Sequence, residues 1–190
     1  GVRAELDEKF PEHVAFYRSL LTRFELAEAP VQDDIVISSE FIEAQLAVTL
    51  DEHVPVFAAG LGDQGRVTGR ARAQGMVTLG LAGSPRNAAR QVEAGVDAVV
   101  AQGTEAGGHT GRVANFARLP QVVDAVGATP VIAAGGISDG RGIAASMALG
   151  ASGAWLGSLF LTADESDMPG ECKDELIASR STDMDVTRAW

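Results

Sequence analysis

From Val54 onward, short runs of consecutive apolar residues alternate with longer stretches whose apolar positions recur at helical spacing. Runs at Val54 to Ala59, Met76 to Ala82, Val96 to Ala101, Pro130 to Ala134 and Gly153 to Leu156 predict five strands covered on both faces, because a half-exposed strand alternates in polarity. The intervening segments predict helices at Gly65 to Gln74, Pro85 to Ala94, Leu119 to Val126 and Gly140 to Leu149. Ser84 followed by Pro85 is a cap with proline at the first helical position, and Gly95, Gly127 and Gly150 are helix stops. The ending Ala94-Gly95-Val96-Asp97-Ala98 is echoed by Leu149-Gly150-Ala151-Ser152-Gly153-Ala154. That recurrence is a βα period, and it predicts an α/β fold with a parallel sheet.

The first third reads differently. Glu5 to Leu26 has apolar residues at helical spacing, broken at Pro11, and Ser39 to Leu50 predicts another helix with Glu40 in its first turn. The one candidate strand here is Asp34 to Ser38. No low-complexity linker or domain boundary interrupts the chain.

Composition narrows the function. The 190 residues carry a formal net charge of −11, with no cluster of lysine and arginine of the kind that gives nucleic-acid binding its affinity. A single cysteine, Cys172, excludes an intrachain disulfide and a cysteine-based zinc site, which fits a reducing cytoplasm. No apolar run approaches the length needed to cross a bilayer, and the first residues lack the hydrophobic region of a signal peptide. The expectation is a cytoplasmic protein without nucleic-acid or membrane partners.

Three loops could carry chemistry. Gln102-Gly103-Thr104-Glu105-Ala106-Gly107-Gly108-His109 follows the third strand. Pro130 to Ala134 delivers Gly135-Gly136 to a helix predicted to begin near Ser138 or Asp139, where free amides and a helix N-terminus favour phosphate. The fifth strand ends in Trp155-Leu156-Gly157-Ser158. Glycine-rich exits from two successive strands form a phosphate-binding pattern of β/α barrels, although a glycine pair alone is common turn chemistry. A Walker lysine motif, GxGxxG with a downstream ribose acid, and GxSxG are all missing, which argues against an ATPase, a nicotinamide Rossmann domain and a serine hydrolase. His13 and His53 stand beside carboxylates away from these loops and read as solvated. His109 has few apolar neighbours to pack against, which leaves a hydrogen bond to Glu105 or a role beside a bound phosphate-bearing cofactor. A metal site is poorly supported there, with Glu105 the one further ligand nearby.

Val99 to Gly111, Pro130 to Gly142 and Gly153 to Leu161 together resemble the nitronate monooxygenase family, formerly the 2-nitropropane dioxygenases. The resemblance runs from about Val54 to the C-terminus. It implies an FMN-binding (β/α)8 TIM barrel of which this chain carries about the last five strands. Residues 1–190 would then be one partial barrel domain, with a helical layer over 1–50, five βα units over 54–158 and a C-terminal segment over 159–190. By position, Gln102 and Gly107 would contact the flavin, Gly135 and Gly136 would hold its phosphate, and Trp155, Leu156, Gly157 and Ser158 would complete the phosphate site. Ser158 replaces a frequent threonine and keeps the hydroxyl. His109 matches the active-site histidine.

The implied activity is that of an FMN-dependent oxidoreductase, a flavoprotein oxidising alkyl nitronates with O2 to a carbonyl compound and nitrite. His109 would either take the α proton of a neutral nitroalkane or donate a hydrogen bond to a nitro oxygen. A homo-oligomer is compatible with this reading. The family's Pro-Met segment and Gly-Gly-Leu-Gly turn are missing before Val54, and an open half barrel leaves two sheet edges and an inner face to cover. The expectation is therefore a portion of a longer protein, or a chain closed by a partner. Competing readings are a flavin-dependent enoyl-acyl carrier protein reductase, an NAD(P)H:quinone reductase, a phosphate-binding barrel enzyme without flavin, and an inactive fragment.

Overall fold

The computed structural model describes residues 2–27, 38–60, 65–108 and 110–185. The chain divides into two compact units, Gly1–Val48 and Thr49–Trp190. In the first, α1 (Val2–Lys9) and α2 (Pro11–Arg23) are separated at Phe10, with Pro11 fixing the first turn of α2. Arg18 and Asp7 join them by an exposed ion pair at 3.1 Å, an interaction worth little in water. Helix α3 (Ser39–Asp51) runs across the division. The candidate strand at Asp34 to Ser38 falls, apart from Ser38, outside the described residues.

The second unit is a five-stranded parallel sheet in the order β1 (Val56–Ala59), β2 (Val77–Ala82), β3 (Ala98–Gln102), β4 (Val131–Ala134) and β5 (Gly153–Trp155). Each spatial neighbour is also the next strand in sequence. Helices α4 (Gly65–Ala73), α5 (Pro85–Glu93), α6 (Asn115–Val126) and α7 (Gly140–Ala148) make the crossovers. Side chains alternate across the sheet as the pleat requires. Val99, Ala101, Val131 and Ala133 pack on one side with Ala88, Leu119, Val122 and Val126, while Leu79, Ala98, Val100 and Ala134 cluster on the other. Val99, Val122 and Val131 are almost fully buried, and each contributes roughly 1.5–3 kcal/mol by leaving water.

Three crossover helices end alike. Gly75, Gly95 and Gly150 have φ of 75°, 89° and 98°, and the residue after each donates its amide five residues back, Met76 to Ala71, Val96 to Gln91 and Ala151 to Ser146. This left-handed stop satisfies terminal carbonyls and turns the chain straight into the next strand. Ser84 caps α5 through its hydroxyl, which accepts from the Asn87 amide at 3.2 Å.

The helices depart from the sequence expectation in two places. Helix α6 starts at Asn115 rather than Leu119, so Pro120 lies inside it. After β5 come α8 (Ser158–Leu161), α9 (Gly170–Ala178) and a short 3-10 turn over Ser181–Asp183, where no helix was expected. Lys173 ties α9 to the preceding loop by donating to the carbonyls of Ala163 at 2.7 Å and Ser166 at 2.9 Å. Cys172, on the same helix, is exposed.

At the N-terminal ends of the strands Asp97 binds β2 to β3. Its carboxylate accepts from the Thr78 amide and hydroxyl, both at 2.8 Å, and from Arg72 at 3.3 Å. The Thr78 amide, then its hydroxyl and Arg72, hold the Asp97 carboxyl below its ordinary value against the opposing effect of burial. A carboxylate with a depressed folded pKa stabilises the fold above its unfolded pKa, about 4, and loses that contribution as pH falls through the folded value. Asp97→Asn is therefore expected to lower stability at pH 7 by about 1 kcal/mol, a figure discounted for solvent screening at a carboxylate more than a third exposed. Urea unfolding at pH 7 and pH 3 checks it: the gap between variant and wild type should narrow at the lower pH.

Candidate functional site

The loops singled out in the sequence leave the C-terminal ends of β3, β4 and β5. Ala134 is in register with Gln102 on one side and Trp155 on the other, so the segments that follow start at one level of the sheet. The Gly103 amide donates to the Ala134 carbonyl at 2.9 Å, carrying the pairing one residue past the strands. Beyond that point the chain opens into the β3 loop. Gln102 Nε2 donates to the Gly107 carbonyl at 3.3 Å, closing the loop on itself.

Glycine is required where this loop meets the next one. Gly135 has φ of 105°, and a Cβ there would come within 2.7 Å of the Ala106 amide nitrogen. Gly136 has φ of 69°, and its Cβ would touch the Glu105 side chain at 3.4 Å. The pair thus lies beneath the β3 loop, as close as a bare backbone allows. Past it, Asp139 caps α7 and accepts from the amides of Arg141 at 2.9 Å and Gly142 at 3.3 Å. Those bonds and the Arg141 guanidinium hold the Asp139 carboxyl below its ordinary value, the guanidinium most.

The loop is fixed from below by residues the sequence reading did not single out. The Glu105 carboxylate accepts from the Asn115 amide at 3.1 and 3.0 Å, supplying the N-terminus of α6 with the acceptor that its own N-cap, Ala114, lacks. Asn115 Nδ2 donates to the carbonyls of Ala134 at 3.3 Å and Gly135 at 3.0 Å. Asn115 Oδ1 accepts from Arg118 Nη2 at 3.4 Å. One asparagine therefore ties together α6, the β3 loop and the β4 exit. The sequence signal was the spacing of Asn115, Arg118, Leu119, Val122 and Val126, one helical face that begins a turn before Leu119.

The structure thus brings together Gln102, Gly107, Gly135 and Gly136, with Trp155 in register beside Ala134 at the β5 exit. Trp155, Gly157 and Ser158 are exposed, and Ser158 opens α8. His109 lies outside the described residues, although its neighbour Gly108 is exposed with φ of 74°. His13 and His53 are exposed and belong to other parts of the chain.

An FMN phosphate needs amide donors and room. Among the described residues, the amides of Gly136, Ile137 and Gly157 make no hydrogen bond to the protein, and a Cβ on Gly107, Gly108 or Gly157 would meet nothing within 4 Å. The donors and the space fit a phosphate held by backbone amides at two strand exits. Among the described residues no group of three histidine, cysteine or carboxylate side chains could hold a metal ion, and no helix is long and apolar enough to cross a membrane.

The model of the nitronate monooxygenase family matches residues 11–190, so α2 and α3, ahead of the strands, fall within it. Rv1533 of Mycobacterium tuberculosis, a candidate monooxygenase, is 41% identical over 190 residues, covering 96% of this chain and 51% of its own length. FabK from Thermotoga maritima superposes with a TM-score of 0.70 at 36% identity over 76% of this chain and 46% of its own. Nitroalkane oxidase from Streptomyces ansochromogenes gives a TM-score of 0.65 at 44% identity over 70% of this chain and 42% of its own. The neighbours are TIM-barrel enzymes, and the five βα units here are part of such a barrel. The chain spans about half the length of the curated relatives it matches.

Proposed function

This chain belongs to the nitronate monooxygenase family, and from that premise we propose that it contributes the flavin-phosphate cradle and the catalytic histidine of an enzyme that oxidises alkyl nitronates with O2 to a carbonyl compound and nitrite. The observation that carries the reading is that two glycine exits leave adjacent strands at one level of the sheet, with the amides of Gly136, Ile137 and Gly157 making no bond to the protein among the described residues. Gly135 and Gly136 bring backbone donors to the phosphate, and the dipole of α7 adds to them. Trp155, Leu156, Gly157 and Ser158 supply the second wall, the Ser158 hydroxyl acting as a donor. Gln102, tied to the Gly107 carbonyl, holds the rim of the β3 loop against the flavin. FMN, when bound, supplies the redox chemistry, and the protein orients the reacting carbon against it. His109 takes the α proton of a neutral nitroalkane or donates a hydrogen bond to the nitro group of a nitronate.

A second reading, favoured by the likeness to FabK, is a nicotinamide-driven flavin reductase. Anaerobic mixing separates the two. Flavin absorbance that bleaches with an alkyl nitronate and persists with NADH or NADPH is the expected result. Bleaching by nicotinamide would move the assignment to a reductase. A protein that neither retains nor takes up FMN would remove both.

A further inference from the structure

Arg118 sits on the face of α6 that buries Leu119, Val122 and Val126, and it is itself only 1% exposed. A guanidinium carries five donors and keeps its charge, so its burial costs free energy unless those donors are used. Nη2 reaches Asn115 Oδ1, while Nε and Nη1 have no hydrogen-bond partner among the described residues. Burial pulls the Arg118 pKa down, and the nearby Glu105 carboxylate pushes it back up. A leucine or methionine here would fill the core at lower cost.

Among the described residues, the one hydrogen bond the Arg118 side chain makes is to the residue that organises the site. An asparagine amide can turn over, exchanging its oxygen and nitrogen. A guanidinium donates only, so the atom facing it must be Oδ1, and Nδ2 is then left to point at the carbonyls of Ala134 and Gly135. The Gly135 carbonyl shares its peptide group with the Gly136 amide, and the Ile137 amide comes one residue later. The same guanidinium also braces the far end of the β3 loop: a Cβ on Gly111 would stand 3.0 Å from Nη1 and 2.7 Å from the Gly83 carbonyl oxygen.

We propose that Arg118 is a positioning residue for the phosphate cradle: by fixing the Asn115 amide it anchors the carbonyls of Ala134 and Gly135 and leaves the amides that follow them aimed at an anion. The inference rests on the phosphate reading above, and riboflavin, which lacks the phosphate, separates the two. FMN and riboflavin are titrated into the flavin-free protein, wild type and Arg118→Met, with flavin fluorescence as the readout. The variant is expected to bind FMN about tenfold more weakly, the scale of one hydrogen bond to a charged group, while riboflavin affinity stays within about twofold. Asn115→Leu should give the same selective loss, and the double variant should lose no more than either single one, because Arg118 acts through Asn115. Equal losses for both flavins, or none for FMN, would overturn the role of Arg118 while leaving the cradle in place. A wild-type protein that binds FMN no better than riboflavin would instead remove the cradle. Should circular dichroism show Arg118→Met unfolded, Asn115→Leu decides alone by the same criterion.

Discussion

Gly135→Ala is expected to lose its flavin and much of its stability. The backbone at this residue has φ of 105°, which side chains rarely adopt, and the new Cβ would fall 2.7 Å from the Ala106 amide nitrogen. That nitrogen is main chain and donates to the Gly103 carbonyl at 3.1 Å, so it cannot swing aside as a flexible side chain would. Backbone strain of about 1–3 kcal/mol and overpacking of a similar size together approach the low end of the whole stability of a domain. Gly140→Ala is the matched control. Its Cβ would meet nothing within 4 Å, and alanine in a helix should be neutral or favourable there by about 0.5–1 kcal/mol. Urea midpoints and the flavin absorbance of the purified proteins provide the comparison. A Gly135→Ala protein with wild-type midpoint and full flavin content would show that the loops do not meet as described.

The second large effect is kinetic. His109→Asn should keep the flavin absorbance and lose about 10²- to 10⁴-fold in turnover, the range that general acid–base groups supply. Asparagine retains a hydrogen bond donor and cannot take up a proton near neutral pH. The size of the loss then reports which task the imidazole performs. A proton-abstracting histidine predicts a defect much deeper with a neutral nitroalkane than with a preformed nitronate, whereas a hydrogen-bonding one predicts modest, equal losses. Unchanged turnover with both substrates would end the assignment of His109 as a catalytic residue.

The five strands were legible as uninterrupted apolar runs; in β3 the run reflects burial on both faces, as Val99, Val100 and Ala101 illustrate, whereas the expected double cover fails in β1 and β5, the sheet's outer strands, which hold no buried residue. The helix stops at Gly75, Gly95 and Gly150 share one left-handed geometry, and two of the three were marked by the Ala-Gly and Leu-Gly echo. The start of α6 was not legible for a physical reason. Pro120 is a signal for a first helical turn, yet the acceptor that starts this helix is the Glu105 carboxylate, ten residues upstream in another loop. Asn115 and Arg118 fall before the expected helix start at Leu119, and only the fold shows these polar residues buried. Helix α9 has no buried residue, which leaves its sequence without the apolar stripe that would have announced it. At the site, the glycine pairs were readable from composition, while the clamp that orders them depends on contacts between segments distant in sequence.

The order of the sheet bears on how the chain is made. Val56 pairs with Val77, Leu79 with Ala98 and Ile132 with Gly153, so most strands find their partner only about twenty residues back along the chain. During synthesis each strand can dock as it leaves the ribosome, onto a neighbour already in place. The glycine exit of β4 can then be gripped by Asn115 before β5 has emerged, since every residue of that grip lies at or before Gly135.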